Sequence, residues 1–380
     1  MGSTGHEGTD AAARPRVAVI FGGASSEHEV SCLTAGGVVK AIDPQAYDVL
    51  GVGITKSGRW VVVPPEAMAE LTVIDKKLPE LTENAADALL VRGPGGSELV
   101  RRDDTALHPL GSIEVAFSLL HGPFGEDGTV QGLFEMLGTR YVGAGVLASA
   151  VGMDKHFMKI VLAGCGLPVG PYAVITPAQW ERDQAAALDA VAALSYPLYV
   201  KPCRGGSSMG ITRVEAESEL VAAVEQAQRF DPKVIVEQGF ANARELECGV
   251  IQGSRGEAPT ASSVAEIRVH TPSGFYDYDA KYLPEEQVDL DVPADIPPDL
   301  AVAVQNYAIK TFEAIGCEGL ARVDTFYTSD GRLYVNEINT MPGFTEHSMF
   351  PRMWAFSGVS YPELVDRLIT LALERPVGLR

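Results

Sequence analysis

Two β-rich runs near the carboxyl end of the chain bring acidic and amide side chains onto one face of a predicted hairpin. Residues 319–328 read GLARVDTFYT and residues 332–339 read RLYVNEIN, with Ser-Asp-Gly at 329–331 between them. Asp-Gly is a strong signal for a tight turn between antiparallel strands, and side chains on one face of a strand recur every second residue. The pattern predicts a hairpin whose second strand stops at Met-Pro-Gly, residues 341–343.

The register of this hairpin decides which side chains face one another. If Asp-Gly forms a two-residue loop, Asp324 lies opposite Glu337 and Arg322 lies opposite Asn339, all on one face. Two facing carboxylates destabilise a sheet unless a positive charge lies between them. Asp, Glu and Asn side chains supply the hard oxygen ligands that Mg²⁺ binds together with phosphate oxygens. We therefore predict a metal site, against the alternative of an amphipathic strand with one solvated face.

Length, composition and charge narrow the classes of partner. The 380 residues are 46% apolar and 21% charged, which is typical of a globular chain with two or three domains. Thirty basic against fifty acidic residues give a net charge of −20, which argues against nucleic acid and against an anionic membrane surface. No apolar run approaches the ~20 residues of a membrane helix. Five cysteines without metal-binding spacing indicate a reduced, cytoplasmic protein.

The chain divides into a tail and three predicted regions, with α/β character first and α+β character in the C-terminal half. Residues 1–14 lack the apolar core of a signal peptide and are expected to be a disordered tail. Strands alternate with helices over 15–150, which predicts an N-terminal substrate domain with a parallel, doubly wound sheet. Strands around an acidic helix predict a central subdomain at 151–241, and a C-terminal subdomain at 242–380 contains the hairpin.

Two stretches have little regular pattern. Residues 65–110 are expected to be helix and loop without a catalytic role. Residues 271–298 are rich in Tyr, Pro and Asp with few aliphatic anchors, so we predict a mobile segment there. This segment contains Lys281 and Tyr282, which belong either to a binding site or to a Tyr-rich surface loop.

A glycine- and serine-rich loop at 203–210 follows a strand that ends in Lys201-Pro202. Glycine lets backbone N–H groups approach an anion closely, and serine hydroxyls add further donors. The alternative is a flexible connection between two strands, and the adjacent lysine favours phosphate. Carboxylates at Glu237 and Glu245 lie at a strand end and shortly after it, where they could bind an adenine amino group and a ribose; the alternative is a pair of solvated side chains.

Strand ends in the first domain are the places where open α/β sheets bind ligands. His121 follows such a strand and is either a binding residue or a turn histidine bonded to backbone. Glu27 lies in the loop after the first strand and is a candidate for binding a substrate ammonium group. The neighbouring His28 is expected at the surface.

Seven motifs in chain order resemble those of the D-alanine–D-alanine ligases, which belong to the ATP-grasp superfamily. They are VIFGGASSEHEVS, HGPFGEDGTVQG, MDKHFMK, VKPCRGGSSMG, YDYDAKY, GLARVDTF and NEINTMPGFTEHS. The match as a whole extends from about residue 16 to about residue 370. The resemblance implies an ATP-grasp fold preceded by a Rossmann-like N-terminal domain, with ATP between the central and C-terminal subdomains.

The resemblance also implies a role for each matching residue. The catalytic group would be Glu27, Ser207, Tyr282, Arg322 and Gly343. D-Alanine would contact His121, Ser348 and Met349. ATP would contact Lys155, Lys201, Glu237, Gln238, Phe240, Glu245 and Lys281. The metal ligands would be Asp324, Glu337 and Asn339.

The activity that the resemblance implies is ATP-dependent ligation of two D-alanine molecules through a D-alanyl phosphate, for peptidoglycan precursors. The cofactors would be ATP and two Mg²⁺ ions, with Mn²⁺ as a substitute and a monovalent cation as a further candidate. The implied protein is a cytoplasmic homodimer acting on small molecules.

Three other functions can be weighed on single features. A ligase that joins D-alanine to D-lactate often departs from the Lys-Tyr pair that Lys281 and Tyr282 form here. A non-catalytic nucleotide-binding regulator would lack a metal ligand or the arginine of the hairpin, and both are present. A Rossmann dehydrogenase would need GxGxxG, which GGASSE does not match.

Overall fold

The computed structural model describes residues 14–93, 96–269 and 288–377, which form three β-sheets with packed helices. No helix in these ranges has the length and hydropathy needed to cross a membrane. A 3₁₀ turn spans Glu217–Glu219. The helices are α1 (His28–Ala41), α2 (Pro65–Ala69), α3 (Thr129–Leu137), α4 (Val146–Met153), α5 (Lys155–Gly164), α6 (Pro177–Arg182), α7 (Gln184–Asp189), α8 (Leu220–Gln228), α9 (Pro298–Ala314), α10 (Met349–Phe356) and α11 (Tyr361–Glu374).

The first sheet joins four parallel strands to an antiparallel extension. Its strands are β1 (Arg16–Gly22), β2 (Asp48–Ile54), β3 (Trp60–Val63), β4 (Asp87–Gly93), β5 (Gly96–Arg102), β6 (Leu107–Ile113), β7 (Val115–Ser118) and β8 (Arg140–Tyr141). Their spatial order is β6-β5-β4-β3-β2-β1-β7-β8, and the four strands from β2 to β8 are parallel. The central strand β1 is wholly buried after its first residue, as its continuous apolar run predicts.

The prediction of helix and loop for 65–110 is wrong, because β4, β5 and the start of β6 lie within this range. They form an antiparallel meander at the edge of the first sheet. Each strand has exposed or half-buried residues on one face, so the apolar alternation is weak in the sequence. Pairing with neighbouring strands stabilises these segments where local pattern is insufficient.

The second sheet is antiparallel and lies in the predicted central subdomain. Its strands are β9 (Tyr172–Ile175), β10 (Leu198–Pro202), β11 (Thr212–Val214) and β12 (Val234–Gln238), in the spatial order β11-β10-β12-β9. Helix α8 packs its buried Leu220, Ala223 and Val224 against this sheet. The glycine- and serine-rich loop connects β10 to β11.

The third sheet is also antiparallel and contains the predicted hairpin. Its strands are β13 (Arg244–Ile251), β14 (Thr260–Val269), β15 (Val288–Asp291), β16 (Leu320–Tyr327) and β17 (Leu333–Asn339), in the order β15-β14-β13-β16-β17. Strand β15 lies inside the segment predicted to be mobile and pairs with β14. Lys281 and Tyr282 of that segment lie outside the described residues, as does the predicted tail through residue 13.

The hairpin has the predicted register at the functional end, although its turn differs from the prediction. Asp324 lies opposite Glu337, and the second predicted pair is also present. The loop is longer than two residues, because the pair nearest the turn is Tyr327 with Leu333. A β-bulge at Asn336 adds one residue to β17 and restores the predicted pairing.

Helix α11 packs on the first sheet although it follows the third sheet in the chain. Its Leu364, Val365 and Leu368 share one apolar core with Val17 and Phe117 of the first sheet. The chain therefore returns to its N-terminal domain after completing the hairpin. The proposed boundaries at 150 and 241 stay predictions.

Candidate active site

A cavity of about 590 Å³ lies where the three sheets meet. Loops after β1 and β7 form one side, the glycine- and serine-rich loop and β12 form another, and β13, β16, β17 and the start of α10 form the floor. Every predicted site residue that the structure describes lines this cavity, and these are Glu27, His121, Lys155, Lys201, Ser207, Glu237, Gln238, Phe240, Glu245, Arg322, Asp324, Glu337, Asn339, Gly343, Ser348 and Met349.

The acidic floor of the cavity is neutralised by two cationic side chains. Arg322 donates from Nε and Nη2 to the two carboxylate oxygens of Asp324, at 2.7 Å each. Asn339 donates its amide N–H to the same carboxylate at 2.9 Å. The ammonium group of Lys155 lies 3.4 Å from Glu337 Oε2. The facing carboxylates are thus compensated by protein cations, as sheet electrostatics requires.

A third carboxylate continues this row on the next strand. Glu247 of β13 lies directly opposite Asp324, and its Oε2 is 3.2 Å from Arg322 Nε. Burial alone would lower the pKa of Arg322, but the charges of Asp324 and Glu247 raise it well above its usual value. Arg322 is therefore a fixed cation held between two carboxylates.

Lys155 and the glycine- and serine-rich loop form one wall of the cavity. Lys155, the first residue of α5, donates to the carbonyl oxygen of Gly205 at 2.9 Å. Ser207 has a left-handed backbone, with φ of 47°, which non-glycine residues adopt uncommonly. In that conformation its hydroxyl donates to Glu27 Oε1, so the loop reaches across to the first domain.

Glu237 lies between two ammonium groups. Lys159 Nζ is 2.8 Å from its Oε1, and Lys201 Nζ is 2.5 Å from its Oε2. Burial alone would raise the pKa of Glu237, but these two lysines hold it below its usual range. Burial would lower the pKa of Lys201, and the charge of Glu237 raises it instead. Glu237 and Lys201 are therefore both charged at neutral pH.

The segment after Glu237 is held in place by backbone hydrogen bonds. The N–H of Gln238 donates to Pro171 O at 3.0 Å, and that of Gly239 donates to Pro197 O at 2.8 Å. The ring of Phe240 stacks on Tyr334 with centroids 4.8 Å apart. This wall combines a fixed backbone edge with apolar ring surface, which suits a flat heterocycle.

The opposite end of the cavity joins the first domain to the loop after β17. His121 is buried, and its Nδ1 donates to Met341 O at 3.1 Å. Glu126 accepts the N–H groups of Gly122 at 2.8 Å and of Met341 at 3.0 Å. Burial lowers the pKa of His121 despite the nearby charge of Glu27. His121 thus bonds to a remote backbone carbonyl and also lines the cavity, while its binding role stays a prediction.

Gly343, Ser348 and Met349 follow in the turn that leads into α10. Ser348 Oγ accepts the N–H of Thr345 at 3.1 Å and lies 2.7 Å from Thr345 Oγ1. A β-carbon at Gly343 would lie 3.3 Å from Ser348 Oγ, which is a tight contact. The absence of a side chain keeps this stretch of backbone open to the cavity.

Two family profiles match the chain over most of its length. The profile described as "D-ala D-ala ligase N-terminus" matches residues 16–144, and "D-ala D-ala ligase C-terminus" matches residues 161–370. The chain belongs to the D-alanine–D-alanine ligase family. This membership confirms the resemblance drawn from the seven motifs.

Relatives and solved structures of this ligase family extend over nearly the whole chain. The D-alanine–D-alanine ligase of Pseudarthrobacter chlorophenolicus is 51% identical over 97% of this chain and 96% of its own. The D-alanine–D-alanine ligase of Kineococcus radiotolerans is 52% identical over 97% of this chain and 99% of its own. The VanG D-Ala:D-Ser ligase from Enterococcus faecalis has a TM-score of 0.79 at 34% identity, over 95% of this chain and 100% of its own. The D-alanine–D-alanine ligase from Coxiella burnetii has a TM-score of 0.78 at 32% identity, over 95% of this chain and 94% of its own. The predicted fold is confirmed by these two structures.

Three charged residues of this ligase-family site were not predicted. Glu126, Glu247 and Lys159 each contact a predicted residue or its loop. Spacing carried a signal for two of them, since Lys159 is one helical turn after Lys155 and Glu247 is two strand positions after Glu245. Glu126 lies within the quoted HGPFGEDG motif, but nothing local marks its contact across domains.

The prediction that His28 lies at the surface is wrong. Its side chain is fully buried, with Nδ1 2.8 Å from Gly23 O and Nε2 accepting the N–H of Leu81 at 3.3 Å. It ties the loop after β1 to the segment that follows α2. His28 therefore supports the loop that carries Glu27.

Proposed function

We propose that this protein joins two D-alanine molecules, at the expense of ATP, to give D-alanyl-D-alanine for peptidoglycan precursors in the cytoplasm. Membership in the ligase family supports the reaction. The single observation that carries it is the convergence of an acidic floor, two lysines and an arginine in one cavity with Glu27 and Gly343. The D-lactate ligase and the non-catalytic regulator are not favoured, because the named relatives are D-alanine–D-alanine ligases and every predicted catalytic group within the described residues is present.

ATP would lie between the second and third sheets. Glu237 and the backbone at Gln238 and Phe240 would receive adenine, and Glu245 would receive the ribose. Lys155 and Lys201 would neutralise the phosphates, which requires Lys201 to release Glu237. Phosphoryl transfer depends mainly on such positioning and charge neutralisation.

The donor set of the floor fits a divalent cation. Among the residues that the structure describes, no three acidic, histidine or cysteine side chains form a metal site by themselves. Two carboxylates and one amide, Asp324, Glu337 and Asn339, are instead a partial set that phosphate oxygens would complete. Bound Mg²⁺ would neutralise phosphate charge. Two Mg²⁺ ions, replacement by Mn²⁺ and use of a monovalent cation are parts of this proposal.

The first D-alanine would bind at the junction with the N-terminal domain. Glu27 would hold its ammonium group. A neutral His121 ring that donates Nδ1–H to Met341 presents Nε2 as an acceptor, and this atom has no hydrogen-bond partner among the described residues. An acceptor suits the ammonium group of D-alanine, which donates hydrogen bonds, better than its carboxylate, which accepts them. Ser207 and Tyr282 would complete the group around Glu27, with Tyr282 and the ATP contact Lys281 outside the described residues.

The reaction would proceed in two steps. A carboxylate oxygen of the first D-alanine attacks the γ-phosphorus, the bond to ADP breaks, and an acyl phosphate forms. The second D-alanine, placed by Ser348 and Met349, attacks the acyl carbon with its deprotonated amine. Arg322 and the N–H of Gly343 would stabilise the oxyanion, and phosphate leaves as the carbon–oxygen bond breaks.

The test is phosphate release from ATP and Mg²⁺ with product identification by mass. Reactions contain D-alanine alone, or D-alanine with D-serine or D-lactate. D-Alanine-dependent release with the dipeptide as product is the expected result. A D-alanyl-D-serine or D-alanyl-D-lactate product formed in preference would reassign the second substrate. ATP binding without release would indicate the regulator. Sedimentation at the same concentrations tests the proposed homodimer.

A further inference from the structure

A buried lysine lies behind the carboxylate that is proposed to receive adenine. Lys159 Nζ is 2.8 Å from Glu237 Oε1, and its side chain is only 3% exposed. Lys155 and Lys201 line the cavity, whereas Lys159 does not. Lys159 therefore reaches the cavity only through Glu237.

Burying an ammonium group is unfavourable unless a partner compensates its charge. The ammonium of Lys159 contacts Glu237 and lies 5.9 Å from the centroid of the Tyr172 ring. Tyr172 of β9 is directly opposite Glu237 in the sheet. The surroundings of Lys159 thus orient its charge toward one acceptor.

Lys201 cannot serve as the lasting counter-ion of Glu237. It approaches Glu237 Oε2 to 2.5 Å, yet it also lines the cavity where phosphates are proposed to bind. Glu237 with two lysines has a net charge of +1. If Lys201 turns to the phosphates, Glu237 and Lys159 remain as a neutral pair and no charge is left uncompensated.

We propose that Lys159 determines base specificity by holding Glu237 as an ionised, fixed acceptor for the 6-amino group of adenine while Lys201 binds phosphate. The inference rests on the proposed function, in which Glu237 faces the base. A purine with a 6-oxo group would present an acceptor to this carboxylate and be rejected. A purine without a 6-substituent would leave the carboxylate without its donor.

The experiment compares the affinity of ADP with that of purine riboside diphosphate, which lacks the 6-amino group, by calorimetry in Mg²⁺. Wild-type protein should bind ADP about 10–100-fold more tightly, as a hydrogen bond to a charged group implies. Lys159→Met should bring the ratio of the two affinities, ADP over purine riboside diphosphate, towards one. It should raise the KM for ATP while kcat at saturating ATP changes little, because Lys159 does not touch the phosphates.

Two variants separate this role from a structural one. Lys159→Arg keeps the charge and should keep most of the preference. Lys233→Met is the matched control, because Lys233 is half-buried in the same subdomain and pairs with Asp154 at 2.9 and 3.0 Å. It removes the same charge and should leave the ratio unchanged.

A folded Lys159→Met protein with the wild-type ratio would overturn the proposal, and so would a wild-type protein that binds both nucleotides equally. If Lys159→Met does not fold, Lys159→Gln provides the neutral side chain for the same comparison. Binding is measured without turnover. A protein that shows the ratio but forms no dipeptide would therefore support Lys159 while contradicting the proposed ligase activity.

Discussion

Arg322 is the residue whose surroundings most restrict its chemistry. It is held by Asp324 and Glu247 and faces the cavity in which the oxyanion is proposed to form. Arg322→Met should lower kcat by about 10²–10³-fold, the usual cost of losing one oxyanion donor. Phosphate release at saturating substrates measures this effect.

The hairpin supplies its own control for that variant. Arg332 lies at the exposed end of β16–β17 and pairs with Asp330 at 2.8 Å. Arg332→Met should leave kcat unchanged, because exposed ion pairs contribute little. Equal loss in both variants would show that the hairpin, rather than the guanidinium of Arg322, had been damaged.

Glu126 makes the stability of the protein depend on pH. Burial, together with the charge of Glu27, raises the pKa of Glu126 to about 8, against 4.5 for an ordinary glutamate. The folded state therefore keeps a proton that the unfolded state loses. The stabilisation is complete below about pH 4.5 and is lost as pH rises through about 8.

Glu126→Gln should remove this pH dependence. The amide cannot accept both backbone N–H groups, so the variant should be less stable by about 1–3 kcal/mol at low pH. Its deficit relative to wild type should shrink between pH 5.5 and 8.5, because only wild type loses stability from this group. Thermal unfolding of both proteins, followed by circular dichroism at pH 5.5 and 8.5, tests this prediction. A stability difference that stays constant between the two pH values would contradict the assigned titration of Glu126.

Side chains with a local signature could be predicted from the sequence, and those that act across the fold could not. Asp324 and Glu337 were identified by a turn and a two-residue period, both of which are local. Glu126 has a partner on a distant segment and no local signal, and Lys159, although one helical turn after Lys155, has its partner on a separate strand. His28 was assigned to the surface for the same reason, because the segment that covers it is remote in sequence.

At the level of elements, the start of α5 controls where a phosphate-binding lysine lies. Asp154 caps this helix by accepting the N–H groups of His156 at 3.1 Å and Phe157 at 3.2 Å. Lys155 is the next residue, and its side chain crosses to the glycine- and serine-rich loop. The cap therefore positions a side chain of the site as well as stabilising a helix.

Asp154→Ala should destabilise the protein by more than the roughly 1 kcal/mol of a lost N-cap, because Lys233 also loses its carboxylate partner. It should also raise the KM for ATP, because Lys155 is no longer fixed by a capped helix. Thr176→Ala is the control, since Thr176 forms a capping box with Gln179 on α6 in the same subdomain. It should cause the smaller destabilisation of a lost cap alone with an unchanged KM, and a shifted KM in both variants would contradict the positioning role.

The edge meander β4–β6 marks the limit of prediction for elements. The strand β1 is an unbroken apolar run and could be identified at once, because a strand buried on both faces has that pattern. Strands β4 and β6 have one partly solvated face and contain charged or glycine residues. Their assignment depends on pairing partners that become adjacent only in the folded sheet.

At the scale of the whole molecule, the end of the chain fastens the third sheet to the first. Arg375, directly after α11, donates from Nη1 to Tyr141 O at 2.9 Å and to Gly143 O at 2.7 Å. Its Nη2 pairs with Glu318, and the guanidinium lies 4.0 Å from the centroid of the Tyr141 ring. This buried arginine joins segments that are far apart in sequence.

Arg375→Met should therefore lower the stability of the whole fold without changing the chemistry. Losing the donors to two buried carbonyl groups and the partner of Glu318 should cost about 2–4 kcal/mol. Arg367→Met on the same helix is the control, because Arg367 is exposed and forms only an i,i+4 pair with Glu363; it should cost less than about 0.5 kcal/mol. Urea unfolding should show a lower midpoint for Arg375→Met alone.

Helix α11 shares its core with β1 and β7. The unfolding curve of Arg375→Met should therefore keep a single transition, displaced to lower urea concentration. An unshifted midpoint would mean that the helix core holds the two parts together without Arg375.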